Sequence, residues 1–338
     1  MKALGKAKEK YSVGLNIGTQ AIKIAKLRLS KDGQMELCGF DLVPIQLELA
    51  ETLKKIKQAM DIDYVNTGVS GPQTVIRHIS FPKMSKDELK QALKFEAQKH
   101  IPFPMAEINL DGFILKDDLP ENKMLVLLAA AKKELISQRI KLIEEAGMRI
   151  NVICIDSIAL INAFNFNYPQ DESLKQKAVT LLNIGATTTN LNILEGGIPR
   201  LSRDINIGGN NFTQRIMELL GLDFKPAEEI KQNPGKENAQ KLLAAQESML
   251  TNLASEIRTS FDYYESQSTT SVVKIFLSGG GSNFTGLSDM LANSLGIEVE
   301  YWDPLKRISL ADGIDVNKIK SLSNQLAVAV GLALRTIE

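Results

Sequence analysis

The chain is poor in the residues that usually advertise chemistry. Its 338 residues include two cysteines, two histidines and one tryptophan. Cys38 and Cys154 sit far apart among apolar neighbours, which suits buried reduced thiols and excludes a disulfide framework. His78 and His100 stand alone, outside any metal-ligand spacing and away from a Ser or Cys nucleophile, so both read as surface or loop residues. An excess of one charge is missing too. Lys plus Arg and Asp plus Glu number 40 each, whereas a chain that grips nucleic acid is expected to carry a positive field. The longest apolar runs, Leu326 to Leu334 and Met124 to Ala131, are far shorter than the roughly 20 residues of a membrane helix. The start, with Lys2, Lys6, Lys8 and Lys10, is not followed by the apolar stretch of a signal peptide. A cytoplasmic protein without a membrane span is expected.

What is present is ordinary globular composition, 44% hydrophobic and 24% charged, over a length that suits two domains of roughly 150 residues. A duplication agrees with that division. Leu15-Asn16-Ile17-Gly18-Thr19 and Leu182-Asn183-Ile184-Gly185-Ala186-Thr187 lie 167 residues apart. Each is an apolar strand running into a Gly and hydroxyl turn, followed by a second strand, Ala21 to Leu27 or Thr189 to Leu194. Glycine lets the backbone approach a ligand closely, successive N–H groups converge on an anion, and a Thr hydroxyl adds a donor. One such turn is only a hairpin turn. Two at half-length spacing point to a phosphate clamp shared by two lobes.

Around these hairpins, residues 11 to 75 read as three strands, a helix and a strand, and residues 180 to 220 begin the same way. Residues 76 to 150 break the symmetry. A strand over Val75 to Phe81 precedes a helix opened by the capping box Ser85-x-x-Glu88, with Leu89, Ala92, Leu93 and Ala97 on one side. Ile101-Pro102-Phe103-Pro104 cannot be helical. Strands over Ile108 to Leu115 and Met124 to Ala131 and a helix from Glu134 to Ala146 follow, predicting a small sheet with two helices on one face. Past Phe212 the chain is helical to about Glu265, interrupted at Asn233-Pro234-Gly235, and Leu250, Leu253, Ile257, Phe261 and Tyr264 form one core-facing stripe. A strand over Val272 to Leu277, a helix to Leu295, a strand near Glu298 and a final helix from Leu322 to Arg335 complete the chain. That last helix is apolar enough to be buried between lobes.

With Leu277-Ser278-Gly279-Gly280-Gly281-Ser282 as a third glycine motif, the order resembles the actin-like ATPase superfamily. The resemblance implies an α/β, actin-like two-lobed fold with duplicated ribonuclease-H-like halves and an inserted α+β subdomain. Its parts would be 11–75 with 151–178 and 322–338, the insertion 76–150, 179–211 with 272–321, and a helical elaboration 212–271. Ile101-Pro102-Phe103-Pro104 ahead of Asn109-Leu110-Asp111, Ile198-Pro199-Arg200 through Gly208-Gly209-Asn210-Asn211-Phe212-Thr213, and Glu300-Tyr301-Trp302-Asp303-Pro304-Leu305 resemble the PilM family of type IV pilus assembly proteins. The likeness spans about residues 11 to 337. The amphipathic membrane helix of the related cell-division protein FtsA has no counterpart at the C-terminal end.

The resemblance also implies a ligand, ATP or ADP, and places residues around it. Gly18 and Thr19 would cradle phosphate from the first lobe, and Gly185, Thr187 and Thr188 from the second. Gly279, Gly280, Gly281 and Ser282 would lie along the adenosine with Gly209 nearby. Glu228 and Lys231 would contact ribose and base, where residue type alone gives only a solvated helix face. Asp156 would position the attacking water, unless it simply caps the helix that follows. Asn16 and Asn183 stand where relatives carry carboxylates that hold Mg2+, often through water. An amide offers one neutral oxygen to a hard cation, so Mg2+ affinity and hydrolysis should both be weak, while backbone donors keep nucleotide binding intact and nucleotide sets lobe closure. The implied setting is a type IV pilus or related type II secretion machine, and the implied partner is the N-terminal cytoplasmic tail of PilN, and through it PilO and PilP, giving peripheral attachment to the cytoplasmic face of the inner membrane. Self-association is open and no nucleic acid is implied. Two other readings share the scaffold: a small-molecule kinase, for which Asp156 is the one candidate carboxylate, and a filament-forming protein like FtsA or MreB.

Overall fold

The computed structural model describes residues 11–30, 32–45, 48–169, 177–233 and 235–336. The Lys-rich start, Leu47 and Pro234 lie outside them. In chain order the elements are β1 (Tyr11–Ile17), β2 (Ala21–Leu29), β3 (Met35–Pro44), α1 (Leu49–Met60), β4 (Tyr64–Val69), β5 (Thr74–Pro82), α2 (Lys86–His100), β6 (Ile108–Leu119), β7 (Lys123–Lys132), α3 (Lys133–Glu145), β8 (Arg149–Ile155) and α4 (Asp156–Asn167). Then come β9 (Ala178–Ile184), β10 (Thr189–Glu195), β11 (Ile198–Ile205), α5 (Gly209–Leu220), α6 (Phe224–Gln232), α7 (Gly235–Glu265), β12 (Val272–Ser278), α8 (Leu287–Leu295), β13 (Glu298–Tyr301), β14 (Ser309–Leu310), α9 (Val316–Leu322) and α10 (Ala327–Ala333).

The strands form three sheets. The first runs β14-β3-β2-β1-β4-β8 and the second β11-β10-β9-β12-β13. In both, the repeated strand pairs antiparallel with the strand after its glycine turn and parallel with a later one, β1 with β2 and β4, β9 with β10 and β12. The half-length repeat in sequence is therefore a repeat of sheet topology. Contacts divide the chain into two compact units, one holding the chain up to Gly68, Ile140–Asn167 and Asp303 onward, the other Val69–Arg139 and Tyr168–Trp302.

In the first unit, alternation along β1 and β2 sends Val13, Leu15, Ile22 and Ile24 to one face, where they pack on Leu53 and Ile56 of α1. Burial of each such side chain stabilises by roughly 1.5–3 kcal/mol. The opposite face carries α10. A Cβ on Gly14 would lie 1.8 Å from the Ala329 carbonyl oxygen, and one on Gly331 would lie 1.8 Å from that of Ala159. Small residues thus let α10 sit directly on β1 and on α4. The apolar C-terminal segment is buried as its composition demands and falls in the first unit. It is not the one helix expected: α9 ends at Leu322, and a 3-10 turn at Ser323–Gln325 separates it from α10. The stretch 303–321, expected with the second core, belongs to the first unit, where β14 pairs parallel with β3.

The second core confirms the stripe on the long helix. Leu250, Leu253, Ile257, Phe261 and Tyr264 are all buried against Leu182, Leu191, Ile193, Ile275 and Leu277. The inserted residues form the sheet β5-β7-β6, covered on one face by Leu89, Leu93 and Ala97 of α2. Its capping box is present, with Glu88 N–H donating to Ser85 Oγ at 3.3 Å and Ser85 N–H to Glu88 Oε2 at 2.7 Å. Among the described residues the helix in this sheet's core is α2, whereas Ile143 at the end of α3, expected as the second helix on the sheet, packs into the first core with Val13, Leu15 and Val65.

His78 is the other correction. It is a half-buried member of β5, opposite Leu127 of β7, and not a surface or loop residue. Its buried Nε2 has no hydrogen-bond partner. Burial, with Arg200 and Arg77 nearby, pushes its pKa down to about 4. The unfolded chain therefore takes up this proton near pH 6.5 while the folded chain resists until about pH 4. The stability it contributes is complete above pH 6.5 and drains away as pH falls through that window, by as much as about 3 kcal/mol. Thermal melts at a series of pH values should show a steeper loss between pH 6.5 and 4 for the natural chain than for His78→Gln. Parallel curves would contradict this.

Candidate nucleotide site

The two glycine turns are built alike. Gly18 N–H donates to Ala21 O at 3.1 Å, and Gly185 N–H to Thr188 O at 2.9 Å. Each glycine N–H thus closes its own hairpin, with Thr19 and Thr187 exposed at the tips. The register is also shared: Asn16 faces Lys23 across the first hairpin, and Asn183 faces Asn190 across the second.

In the first unit these positions gather around a buried carboxylate. Asn16 Nδ2 donates to Asp156 Oδ2 at 3.3 Å, and Asp156, the first residue of α4, is 8% exposed. Glycine at 68 is needed to admit it, since a Cβ there would lie 1.7 Å from Asp156 Oδ1. Lys23, absent from the sequence-based set, completes the group. Its Nζ would be 2.7 Å from a Cβ on Gly18. Burial lowers its pKa, and the negative charge of Asp156 works against that shift. The signal in the sequence was a lysine alternating into Ile22-Lys23-Ile24, five residues after the turn glycine. Asn16, Gly18, Asp156 and Lys23 therefore meet, but the Asn16 amide bonds a carboxylate directly. That hydrogen bond occupies the amide nitrogen of Asn16.

The second unit brings together three separate glycine segments. Gly209 N–H donates to Gly185 O at 2.9 Å and Asn210 N–H to Ala186 O at 2.7 Å, so the first turn of α5 is tied to the Gly185 turn. A Cβ on Gly281 would stand 2.3 Å from Gly185 O and 3.0 Å from Gly209 N, and one on Gly279 2.3 Å from Ile184 O. Only bare backbone permits this approach. Phe212, one turn into α5, anchors the helix against Phe284 with ring centroids 4.9 Å apart.

Behind Gly209 lies an ion pair. Lys231 is 3% exposed, and its Nζ donates to Glu228 Oε2 at 2.7 Å, Thr213 Oγ1 at 2.9 Å and Gly209 O at 3.2 Å. These are the three bonds an ammonium can make. Burial lowers the Lys231 pKa, opposed by Glu228. For Glu228 burial acts upward, and the charge and hydrogen bond of Lys231 with the Thr213 hydroxyl outweigh it, leaving the carboxyl below its usual range. The pair is therefore no solvated helix face; it pins Gly209. Ser282 is likewise turned inward, its hydroxyl donating to Gly279 O at 2.6 Å and its carbonyl accepting from Tyr301 OH at 2.6 Å. Gly280 stays exposed beside the buried Gly281. Thr188 follows Thr187 in the turn and accepts through its carbonyl from Gly185. Thr213 and Tyr301 were not anticipated, because hydroxyls that brace backbone carry no spacing signature.

Duplicated sheets of this topology with a glycine turn at the end of each repeated strand define an actin-like α/β protein. Residues 14–337 match the family described as type IV pilus assembly protein PilM, and the chain belongs to that family. A structure described as the PilM-PilN type IV pilus biogenesis complex is similar over 98% of this chain and 99% of that one, with 26% identity and a TM-score of 0.86. The ethanolamine utilization protein EutJ from Carboxydothermus hydrogenoformans shares the fold at 12% identity, a TM-score of 0.55 and coverage of 97% and 90%. The cell division protein FtsA of Bacillus subtilis (strain 168) is 23% identical over 259 residues, 66% of this chain and 58% of FtsA, so the chain spans little more than half of that relative's length.

Among the described residues, no group of three or more His, Cys, Asp or Glu side chains is placed to hold a metal ion. Asn16 and Asn183 add only neutral amide oxygens. Asn16→Asp would lose its bond to Asp156 and set two carboxylates together, costing about 1–3 kcal/mol without a cation. In the Asn16→Asp, Asn183→Asp double variant, Mg2+ should raise the melting temperature and strengthen nucleotide binding far more than in the natural chain. Equal responses in both proteins would remove these positions from the metal's neighbourhood.

Proposed function

We propose that this protein is a nucleotide-binding scaffold of the type IV pilus inner-membrane assembly platform, holding ATP or ADP and gripping the cytoplasmic N-terminal tail of PilN. The observation that carries the nucleotide half is the meeting of the Gly185, Gly209 and Gly281 backbones, which makes a wall of glycine backbone beside the Gly185 turn. Against such a wall a flat base and its ribose fit closely. Gly279, Gly280 and Gly281 would line the adenosine, Lys231 would keep Gly209 in place, and the Glu228 carboxylate would accept from a ribose hydroxyl. The exposed Thr187, with Gly185 and Thr188, would meet phosphate in the second unit; in the first unit, Gly18, Thr19 and the Lys23 ammonium form the corresponding anion-seeking turn. Nucleotide supplies polyphosphate charge for these groups to neutralise. Asp156 would orient water, but its direct bond to Asn16 and the amides at 16 and 183 support slow or absent hydrolysis.

Family membership and the likeness to a PilM-PilN complex over nearly the whole chain support the PilN half. Among the described residues no helix is long and apolar enough to cross a membrane, and a grip on a partner's tail would give peripheral attachment to the cytoplasmic face of the inner membrane, with PilO and PilP reached through PilN. Calorimetry with ADP and ATP, followed by capture of the chain on a PilN N-terminal peptide with and without nucleotide, tests both halves. Binding of nucleotide in the micromolar range or tighter and nucleotide-sensitive capture are expected. Failure of the peptide to capture the protein in either condition would remove the scaffold reading.

A further inference from the structure

A row of polar side chains crosses the second sheet at the level of the phosphate turn. Ser278, Asn183, Asn190 and Asp204 are successive cross-strand partners on β12, β9, β10 and β11, so their side chains share one face. They are linked end to end. Ser278 Oγ donates to Asn183 Oδ1 at 3.2 Å, Asn183 Nδ2 to Asn190 Oδ1 at 3.3 Å, and Asn190 Nδ2 to Asp204 Oδ1 at 2.6 Å. At the edge strand the row leaves the sheet: Asp204 Oδ2 accepts the backbone N–H of Gly71 at 3.1 Å. Gly71 lies between β4 and β5, takes φ +92°, and its carbonyl accepts both the N–H and the Oγ1 of Thr74, the first residue of the inserted sheet.

Direction in this row is imposed from one end. A carboxylate only accepts, so Asp204 draws the Asn190 amide nitrogen toward itself. That leaves Asn190 Oδ1 facing Asn183, which must then donate through Nδ2 and present Oδ1 toward Ser278 and Gly279. Ser278 is fully buried and Asn190 is 7% exposed, so water competes little for these bonds and each amide is held in one orientation.

We propose that this row is a positioning relay, in which Asp204 fixes the Asn183 amide at the phosphate turn and, reciprocally, a nucleotide that engages the turn changes the hold on Gly71 and so on the lead into the inserted sheet. The proposal rests on the nucleotide reading above. Coupling of this kind requires the two ends to share a set of bonds that both bias. Asp204 and Asn190 would touch neither nucleotide nor partner; they act through Asn183 and Gly71.

Hydrogen–deuterium exchange of the full chain with and without ADP, after calorimetry has established whether ADP binds, tests it. Asn190→Leu cuts the row with a side chain of nearly the same shape that neither donates nor accepts. Asp204→Asn, which removes the fixed direction while keeping the size, serves if the first variant does not fold. In the natural chain ADP should change exchange in the peptide covering residues 70–76 by about fivefold or more, the low end of ordinary coupling between sites, and by less than about twofold in either variant that still binds ADP. ADP binding with exchange over 70–76 unchanged in the natural chain, or changed equally in the variants, overturns the relay and leaves the nucleotide site standing. Absence of ADP binding to the natural chain overturns both.

Discussion

The nucleotide reading of this protein depends on backbone meeting backbone at Gly185, Gly209 and Gly281. Side chains keep polypeptide segments apart, and in the second unit three segments distant in sequence come close enough that a single methyl group would stand 2.3 Å from a carbonyl oxygen. The approach is held by specific partners: the Gly209 and Asn210 amides bond the turn, Phe212 packs into the core behind them, and Lys231 binds the Gly209 carbonyl from the far side. Burying that ammonium is costly, and its three hydrogen bonds with the Glu228 charge offset the cost. A buried lysine spent on a backbone carbonyl makes sense where the position of that backbone matters.

The duplicated halves have diverged in how they support the same turn. Both keep an asparagine two residues before the glycine and an identical closing bond. Across the hairpin the first half sets a lysine against a buried aspartate, and the second sets an asparagine against the edge aspartate of the next strand. One half thereby offers a positive charge beside its turn and the other a neutral, oriented amide.

Much of this was legible in the chain, and the exceptions share a cause. Hairpins, the capping box at Ser85 and the apolar stripe on the long helix were readable because each rests on a local period or a short fixed spacing. The glycine motifs were readable because they recur, although the sequence shows only that each is glycine and not that they touch one another. Lys23 was hidden by the apolar strand around it, and the row from Ser278 to Asp204 by being assembled from four strands. His78 was misplaced because a single residue on a strand of period two carries no mark of which face it takes. The start of α9 was announced by Asp315, which caps it through bonds to the Asn317 and Lys318 N–H groups, but the break at Ser323–Gln325 carries no such mark. The second helix of the insertion was given the wrong neighbour because amphipathic pattern shows that a face is buried, never against what.

The contact at Gly281 offers the most direct test. Gly281→Ala adds one methyl group 2.3 Å from the Gly185 carbonyl oxygen and 2.8 Å from a methyl of Ile184, and Gly39→Ala adds one beside flexible side chains in the first sheet, the nearest a methionine methyl at 3.2 Å. Calorimetric titration of both variants with ADP should show affinity reduced by about tenfold or more in the first and little changed in the second, about 1.4 kcal/mol of difference. Unaltered ADP affinity in a folded Gly281→Ala protein would contradict the claim that this backbone wall receives the nucleotide.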